Sequence, residues 1–448
     1  MQKTLLLTCF SLSLAFGPLV LAQTRSTNPD DGDELELYLE DKNVQATVRL
    51  AFPRIGRPPG MTAEALSAAD ELEKTLLDDL LYSRIFDVQD QEILKVLDLT
   101  GDRQNDYLQY RSLGNQVILL ADLKEEDGGR LTLESRVHDL RNFRSVCQGK
   151  RYRGTFGQAR RIAHTYSDEI VFCFSAQQGI ALTQIVFASD RSGFKELYMM
   201  DYDGENHRAI SGHKSLTLAP HWSPTGAGIV YTSYFSGYPS LYYIDLASGT
   251  KLEVLEDGAH NFSPNLSPDG RLIAFTRSVR GNSEIYTIER TGGEPRRITN
   301  SSRIDANPAW SSSGREIAFT SDRSGTPQIY VMDRAGTNLR RVTREGANND
   351  GAAWHPDGTR LAYAHRHKAG NRFDIAIIDL ITLENRILTS SPGSHEAPSF
   401  SPDGQRVAFE STRDGTWQIW TIDVDGRNLR RLTTEGRNYS PSWSSYLE

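Results

Sequence analysis

The chain lacks three features that would assign it to common functional classes. Beyond its first 21 residues, no apolar run is long enough to span a bilayer. It has no excess of positive charge, because 50 Lys and Arg residues stand against 58 Asp and Glu residues and give a formal net charge of −8. It also has no Gly-x-Ser-x-Gly segment of the kind that carries a hydrolase nucleophile. These absences disfavour a membrane-spanning protein, a nucleic-acid or anionic-lipid binder, and a serine hydrolase.

Cysteine is also scarce, with three residues in the whole chain. Cys9 lies in an N-terminal segment in which Lys3 precedes the apolar run 5–21 and the small-residue site Val20-Leu21-Ala22. This arrangement predicts a secretory signal peptide over residues 1–22, cleaved after Ala22, and hence an exported mature protein. Cys147 and Cys173 remain in the mature chain, either as a disulfide or as a reduced pair.

A five-residue signature returns with a nearly constant period through the second half of the chain. Successive copies begin 44, 44, 44, 46 and 43 residues apart. A period of this length, with several short strands in each repeat, indicates a β-propeller. The copies are Trp222-Ser223-Pro224-Thr225-Gly226, Leu266-Ser267-Pro268-Asp269-Gly270, Trp310-Ser311-Ser312-Ser313-Gly314, Trp354-His355-Pro356-Asp357-Gly358, Phe400-Ser401-Pro402-Asp403-Gly404 and a truncated Trp443-Ser444-Ser445.

Each repeat divides into four predicted strands around turns rich in Pro, Asp and Gly. In the third repeat these are 307–310, 317–320, 328–333 and the charged outer strand 339–343. The second strands start at Ile185, Ile229, Leu272, Ile317, Leu361 and Val407, which predicts six blades. No signature precedes Ile185 and no strand follows Trp443. We therefore expect residues 439–445 to supply the innermost strand of the first blade and to close the ring.

The residues between the signal peptide and the propeller have a different pattern. A polar tail with an alternating segment, 34–40, precedes a predicted strand at 48–53 and a helix that starts near Thr62. The apolar face predicted for this helix consists of Leu66, Ala69, Leu72, Leu76 and Leu80. A second helix at 107–113, a hairpin of strands 116–120 and 131–137, and a helix containing Ile162, Tyr166, Ile170 and Cys173 follow.

The predicted fold class is therefore α+β with two domains. We expect a flexible tail over 23–44, an α/β domain over 45–178 and a six-bladed β-propeller over 179–448 that is closed by the C-terminal strand.

One opening of the propeller channel can be located from the sequence. Inner strands converge on the axis, so the residues at their start are expected to surround one mouth of the channel. Many of these residues are polar, and they are interpreted either as a docking ring or as residues that tolerate turn geometry. The candidates are His260, Asn261, Ser263, Asp305, Ala306, Asn349, Asp350, His395 and Glu396.

The order of these parts resembles the TolB family, the periplasmic components of the Tol-Pal envelope system. The signal peptide, α/β domain and six repeats are accompanied by Asp201-Tyr202-Asp203-Gly204 in the first blade and by the ending Trp443-Ser444-Ser445-Tyr446-Leu447. The resemblance covers the chain from about Leu35. No single motif is specific, because Ser-Pro-Asp-Gly repeats also occur in other exported proteins and in peptidases.

The resemblance implies a monomeric, non-enzymatic scaffold without cofactor or metal. Proteins of this family dock the peptidoglycan-associated lipoprotein (Pal) at one propeller mouth and contact TolA through the N-terminal tail, supporting outer-membrane integrity and constriction during division. The lipoprotein-contacting positions of the family match His260, Asn261, Ser263 and Ala306. Leu35, Leu37 and Leu39 either add as a strand to the TolA sheet or cover this chain's own α/β domain.

Two other functions are compatible with a propeller. A propeller hydrolase requires a catalytic domain, for which no nucleophile elbow and no room after the propeller are found. His395-Glu396 begins like a zinc-protease helix, but Ser399 stands where the second His is required. An exported propeller that binds a small ligand or Ca²⁺ in its channel would use Asp305 and Asp350 as ligands.

Overall fold

The computed structural model describes residues 47–367, 370–390 and 392–447. The predicted signal peptide, which contains Cys9, and the predicted tail with Leu35, Leu37 and Leu39 lie outside these ranges. From Val48 onward the described elements form one compact unit. Among them, no helix combines the length and the apolar character that a bilayer crossing requires.

The N-terminal region is a five-stranded sheet with helices packed on it. Strand β1 pairs in parallel with β2 and β3, whereas β3, β4 and β5 are antiparallel, so the order is β2-β1-β3-β4-β5. The elements are β1 (Val48–Ala51), α1 (Ala63–Ser83), β2 (Phe86–Val88), α2 (Gln91–Leu94), α3 (Arg103–Ser112), β3 (Val117–Glu126), β4 (Arg130–Asp139), β5 (Lys150–Thr155) and α4 (Ala159–Ser175).

Helix α1 shows how far the sequence pattern predicts this region. Thr62 caps the helix, because its side chain accepts a hydrogen bond from the Ala65 N–H, and the left-handed Arg84 ends it. Four of the five predicted core residues, 69, 72, 76 and 80, are fully buried. Leu66 was wrongly placed on that face and is 39% exposed, because the first turn buries Ala65 instead. The short elements β2, α2 and β5 were not predicted.

The two cysteines of the described region form a disulfide. Cys147 precedes β5 and Cys173 lies in the last turn of α4, and their sulfur atoms are 2.08 Å apart. The structure therefore selects the bonded form from the two alternatives that the sequence left open.

Six four-stranded sheets follow, each of them one propeller blade. The inner strands of blades 1 to 6 are Asn438–Trp443, Thr217–Trp222, His260–Leu266, Asp305–Trp310, Asn348–Trp354 and His395–Phe400. The second strands are Gln184–Ser189, Gly228–Ser233, Leu272–Val279, Glu316–Ser321, Arg360–Arg366 and Arg406–Ser411. The third strands are Glu196–Asp201, Ser240–Asp245, Asn282–Glu289, Gln328–Asp333, Phe373–Asp379 and Gln418–Asp423. The outer strands are Arg208–Ala209, Lys251–Leu255, Arg296–Arg297, Arg340–Arg341, Asn385–Ile387 and Arg430–Arg431. The strand Arg340–Arg341 is shorter than the outer strand 339–343 that was predicted for the third repeat.

Closure by the C-terminal strand is confirmed. The chain's last strand pairs antiparallel with the first strand of the propeller, with Tyr439 opposite Ala188 and Trp443 opposite Ile185. The signature tryptophans add bonds between blades, since the indole N–H of Trp222 donates to the Ser442 carbonyl at 3.0 Å. The ring therefore has no unpaired inner strand at its junction.

The propeller core lies between neighbouring blades. Ala318, Ile329 and Val331 of blade 4 pack against Leu361 and Tyr363 of blade 5, and similar apolar clusters join other neighbours. Burial of apolar surface from both sheets stabilises each interface. The signature turns complete each inner strand: in blade 3 the Gly270 N–H donates to the Ser267 carbonyl, and Gly270 has the positive φ of 68° that this turn needs.

Candidate docking site at the propeller mouth

The six inner strands share a local geometry that shapes the channel. Each inner strand contains a three-residue pattern, which starts at Thr217, Asn261, Asp305, Asn349, His395 or Asn438. The third residue of the pattern has φ between 47° and 62°, and the pairing register shifts there. Such a bulge turns the chain locally and redirects its side chains. These third residues line a channel cavity of about 440 Å³: Ala219, Ser263, Asn307, Gly351, Ala397 and Ser440.

The first residues of the pattern are buried and have internal partners. Asn261, Asp305, Asn349 and His395 have no exposed surface. Guanidinium groups of the adjacent strand or hairpin donate to two of them, from Arg277 to Asn261 at 3.2 Å and from Arg323 to Asp305 at 2.7 Å. His365 Nδ1 bonds to Asn349 Oδ1 at 2.7 Å, and His395 Nδ1 bonds to Ser411 at 2.8 Å.

From the sequence, these four residues are expected around the mouth because they stand at the start of inner strands, which converge on the axis. Their side chains bond to the adjacent strand or hairpin of the same blade, and the Asn349 amide also donates to Gln328 of blade 4 at 2.9 Å. In this structure their buried side chains fix the inner strands near the mouth and have no surface that a partner could contact.

The second residues of the pattern form a partly exposed ring, which we call the mouth ring. Inner strands converge on the axis, so equivalent residues of the six blades surround one opening. The ring contains three of the predicted site residues, Ala306, Asp350 and Glu396, and all six members are half-buried. In order around the channel it consists of Tyr439, Leu218, Phe262, Ala306, Asp350 and Glu396.

The remaining two predicted residues lie beside this ring. His260 is exposed and immediately precedes the pattern in blade 3. Ser263 donates a hydrogen bond to Asn307 Oδ1 at 2.8 Å, and the Asn307 amide donates to Asp350 Oδ1 at 2.8 Å. This chain of bonds links blades 3, 4 and 5 across the channel wall, and it fixes Asp350 of the ring together with the residues that follow Phe262 and Ala306.

Glu410 was not predicted and lies directly beneath the mouth ring. It is opposite Glu396 in the pairing of blade 6, and its carboxylate accepts a hydrogen bond from the Ser440 N–H at 2.5 Å. Burial, together with the neighbouring Glu396 charge, raises the pKa of Glu410 to about 7. Burial also raises the pKa of Glu396 above its usual range, with Asp350 contributing in the same direction. A sequence signal was present, because the equivalent position is Thr in blades 2, 3 and 4.

The other end of the propeller is covered by the N-terminal region. Helix α1 contributes Asp79, which accepts hydrogen bonds from Tyr202 of blade 1 at 2.7 Å and pairs with His164 of α4 at 2.8 Å. Arg160 of α4 pairs with Asp203 at 2.7 Å. Arg84 pairs with Asp423 of blade 6. These propeller residues lie where third strands end. We call this end, on which the N-terminal region contacts blades 1 and 6, the covered end, and we call the opposite end, at which inner strands begin, the open mouth.

The calcium alternative finds little support in this geometry. Asp305 is engaged by Arg323, and neither Asp305 nor Asp350 belongs to the one group of three clustered ligand-type side chains found in the described residues. That group, Asp79, His164 and Asp203, is already bridged by hydrogen bonds and by the Arg160 guanidinium.

The TolB beta propeller domain model matches residues 173–447, which is more than half of the chain. This chain belongs to the TolB family. The crystal structure of TolB from Acinetobacter baumannii superposes with a TM-score of 0.76 at 25% identity and covers 89% of this chain and 97% of that chain.

Curated TolB-family relatives are similar over shorter segments. The Tol-Pal system protein TolB of Syntrophotalea carbinolica is 34% identical over 192 residues, 42% of this chain and 43% of that protein. Its counterpart in Geobacter metallireducens is 38% identical over 102 residues, 23% of this chain and 24% of that protein. The matched segments thus span less than half of these relatives. Both relatives are named as Tol-Pal system proteins, and this chain shares the propeller domain of their family.

Proposed function

We propose that this TolB-family chain is a periplasmic scaffold that docks the peptidoglycan-associated lipoprotein at the open mouth and TolA through its N-terminal tail. In this role it supports outer-membrane integrity and constriction during division. As a scaffold, the chain acts by binding two partners at once and not by catalysis. The lipoprotein-docking surface consists of the mouth ring with His260 and Ser263.

The separation of the two propeller ends is the observation that carries this proposal. The α/β region packs against blades 1 and 6 at the covered end, through the Asp79, Arg160 and Arg84 contacts. The open mouth presents half-buried side chains on a bulged backbone that is braced by hydrogen bonds. A rigid, preformed surface is what a protein partner can bind with little ordering cost.

Docking is tested with the purified full-length mature protein and the soluble domain of the lipoprotein from the same organism. Ala306→Arg places a long charged side chain in the mouth ring and is expected to weaken binding at least about tenfold in calorimetry. Ile381→Arg is the matched control, since Ile381 is 79% exposed in the turn between the third and outer strands of blade 5, at the covered end. Equal affinities for the two variants would place docking elsewhere.

The TolA interaction rests on the alternating segment of Leu35, Leu37 and Leu39 and on the family resemblance. An extended segment with alternating apolar residues can add as a strand to an exposed sheet edge. Deletion of residues 23–40 is expected to abolish binding to the purified TolA periplasmic domain while leaving lipoprotein binding unchanged. Unchanged TolA affinity would refute the assignment of the tail.

The periplasmic location is supported by the predicted signal peptide and by the Cys147–Cys173 disulfide, which persists in oxidising compartments. Cell fractionation together with N-terminal sequencing tests it. The expected result is a periplasmic protein whose chain begins at Gln23. A cytoplasmic protein that retains residues 1–22 would contradict the proposal.

A further inference from the structure

The mouth ring is divided into two arcs of different chemistry. Four consecutive blades contribute the apolar arc, which consists of Tyr439, Leu218, Phe262 and Ala306. The next two blades contribute the acidic arc, Asp350 and Glu396, with Glu410 beneath it. Charge and apolar surface are therefore separated around one opening.

Aromatic side chains extend the apolar arc outward. Phe194 and Tyr238 lie in the hairpins that join second and third strands in blades 1 and 2, at the open mouth, and are 51% and 52% exposed. The Tyr238 and His260 ring centroids are 6.5 Å apart, and His260 in turn contacts Phe262. Exposed aromatic surface of this kind is enriched where proteins bind proteins.

The acidic arc forms no ion pair within the described chain, and the Lys195 ammonium acts on Glu410 only from a distance. Several other buried carboxylates of the propeller are paired with guanidinium groups, as in Asp305 with Arg323 and Glu284 with Arg297. No ion pair to Asp350, Glu396 or Glu410 occurs among the described residues. Glu410 is nevertheless only 9% exposed and lines the channel, so a buried carboxylate faces the cavity without an ion-pair partner among the described residues.

We propose that the open mouth selects a partner segment that carries an apolar face and a single basic side chain, with the Lys or Arg of the partner inserted between Glu396 and Glu410. The apolar face lies on Phe262 and its neighbours in the arc. This inference rests on the proposed docking of the lipoprotein and specifies the chemistry of the docked segment. A guanidinium or ammonium group there completes a charge-assisted contact that the chain itself leaves open.

The inserted cation changes the proton occupancy of Glu410. The groups that face this carboxyl are Glu396 across the strand pair, the Ser440 N–H and, more distantly, the Lys195 ammonium, whose nitrogen is 3.7 Å from the centre of the Tyr439 ring. With a pKa of about 7, Glu410 is protonated in roughly half of the molecules at pH 7. A cation favours the carboxylate, so binding should release about half a proton per complex at pH 7.

Calorimetry in two buffers of different ionisation enthalpy, phosphate and Tris, measures this release with the soluble lipoprotein domain. The mature protein is expected to release about half a proton at pH 7, and Glu410→Gln none. Asp350→Asn combined with Glu396→Gln should weaken binding roughly 10- to 100-fold, and Phe262→Ala about tenfold. Controls at the covered end of blade 5, Glu384→Gln and Ile381→Ala, should leave affinity unchanged.

The outcomes separate this inference from the docking proposal. If the lipoprotein binds with unchanged affinity to the neutralised variant and releases no proton on binding to the mature protein, the acidic arc does not receive a cation, while docking stands. If the mature protein does not bind the lipoprotein, the docking proposal fails and this inference fails with it. If the Glu384→Gln control weakens binding as much as the acidic-arc variant, the effect is one of net charge, and the specific insertion is refuted.

Discussion

Replacing Glu410 with Gln should stabilise the fold at alkaline pH. The pKa of Glu410 rises from 4.5 to about 7 in the folded chain, mainly because the carboxylate is buried. A raised carboxyl pKa means that the folded state binds the proton more tightly than the unfolded state, so this stability is present below pH 4.5 and is lost as pH rises through about 7. The difference corresponds to about 3 kcal/mol at pH 8.5.

Gln mimics the protonated acid and still accepts the Ser440 N–H, so it removes the penalty without removing the hydrogen bond. Urea unfolding of both proteins at pH 4.5 and pH 8.5 measures the effect. The variant should match the parent at pH 4.5 and exceed its free energy of unfolding by about 3 kcal/mol at pH 8.5. Glu384→Gln, which changes an exposed carboxylate, should show no such pH dependence. A variant that is less stable than the parent at pH 8.5 would refute the reasoning.

Three further predictions concern the contacts that hold the chain together. Burial lowers the pKa of His164, but the Asp201 and Asp79 carboxylates outweigh it and raise the pKa to about 9. The protonated His164 therefore contributes up to about 3 kcal/mol to the free energy of unfolding, which is fully present below pH 6.5 and is lost as pH rises through 9. His164→Gln should flatten the pH dependence of stability in urea over this range, and an unchanged slope would contradict the assignment. Replacing both Cys147 and Cys173 with Ser opens a loop with a sequence separation of 26 residues and should lower the free energy of unfolding by about 3 kcal/mol. An unchanged free energy of unfolding in urea would show that the bond does not constrain the unfolded chain. Truncation before Asn438 removes the inner strand of blade 1 and should abolish a single cooperative thermal transition in calorimetry; an intact transition would mean that closure is dispensable.

The propeller could be predicted because its information is periodic and local. Each repeat carries its own turn chemistry and strand alternation, and the unmatched Trp443 at the end pairs with the unmatched Ile185 at the start. Even the short helix cap at Thr62 is visible in sequence. The small elements β2, α2 and β5 escaped because three to six residues show no reliable period.

The site was harder to predict because it depends on pairing across strands. A polar residue at the start of an inner strand is compatible with a loop at the mouth and with a buried side chain. Asn261 and Asp305 are buried because Arg277 and Arg323, 16 and 18 residues further along the chain, supply their partners. Glu410 is the penultimate residue of the strand Arg406–Ser411, and it interacts with the N–H of Ser440, which is 30 residues further along the chain and is placed there by the bulge.

Hydrogen–deuterium exchange of the full-length mature protein, with and without the soluble lipoprotein domain, tests the central claim most directly. The account predicts slower exchange on complex formation in the hairpins 190–195 and 234–239 and in the inner-strand starts 216–219 and 260–263. It predicts unchanged exchange at the opposite end, in the turns 268–271 and 380–384. Protection confined to those turns or to helices α1 and α4 would contradict docking at the open mouth.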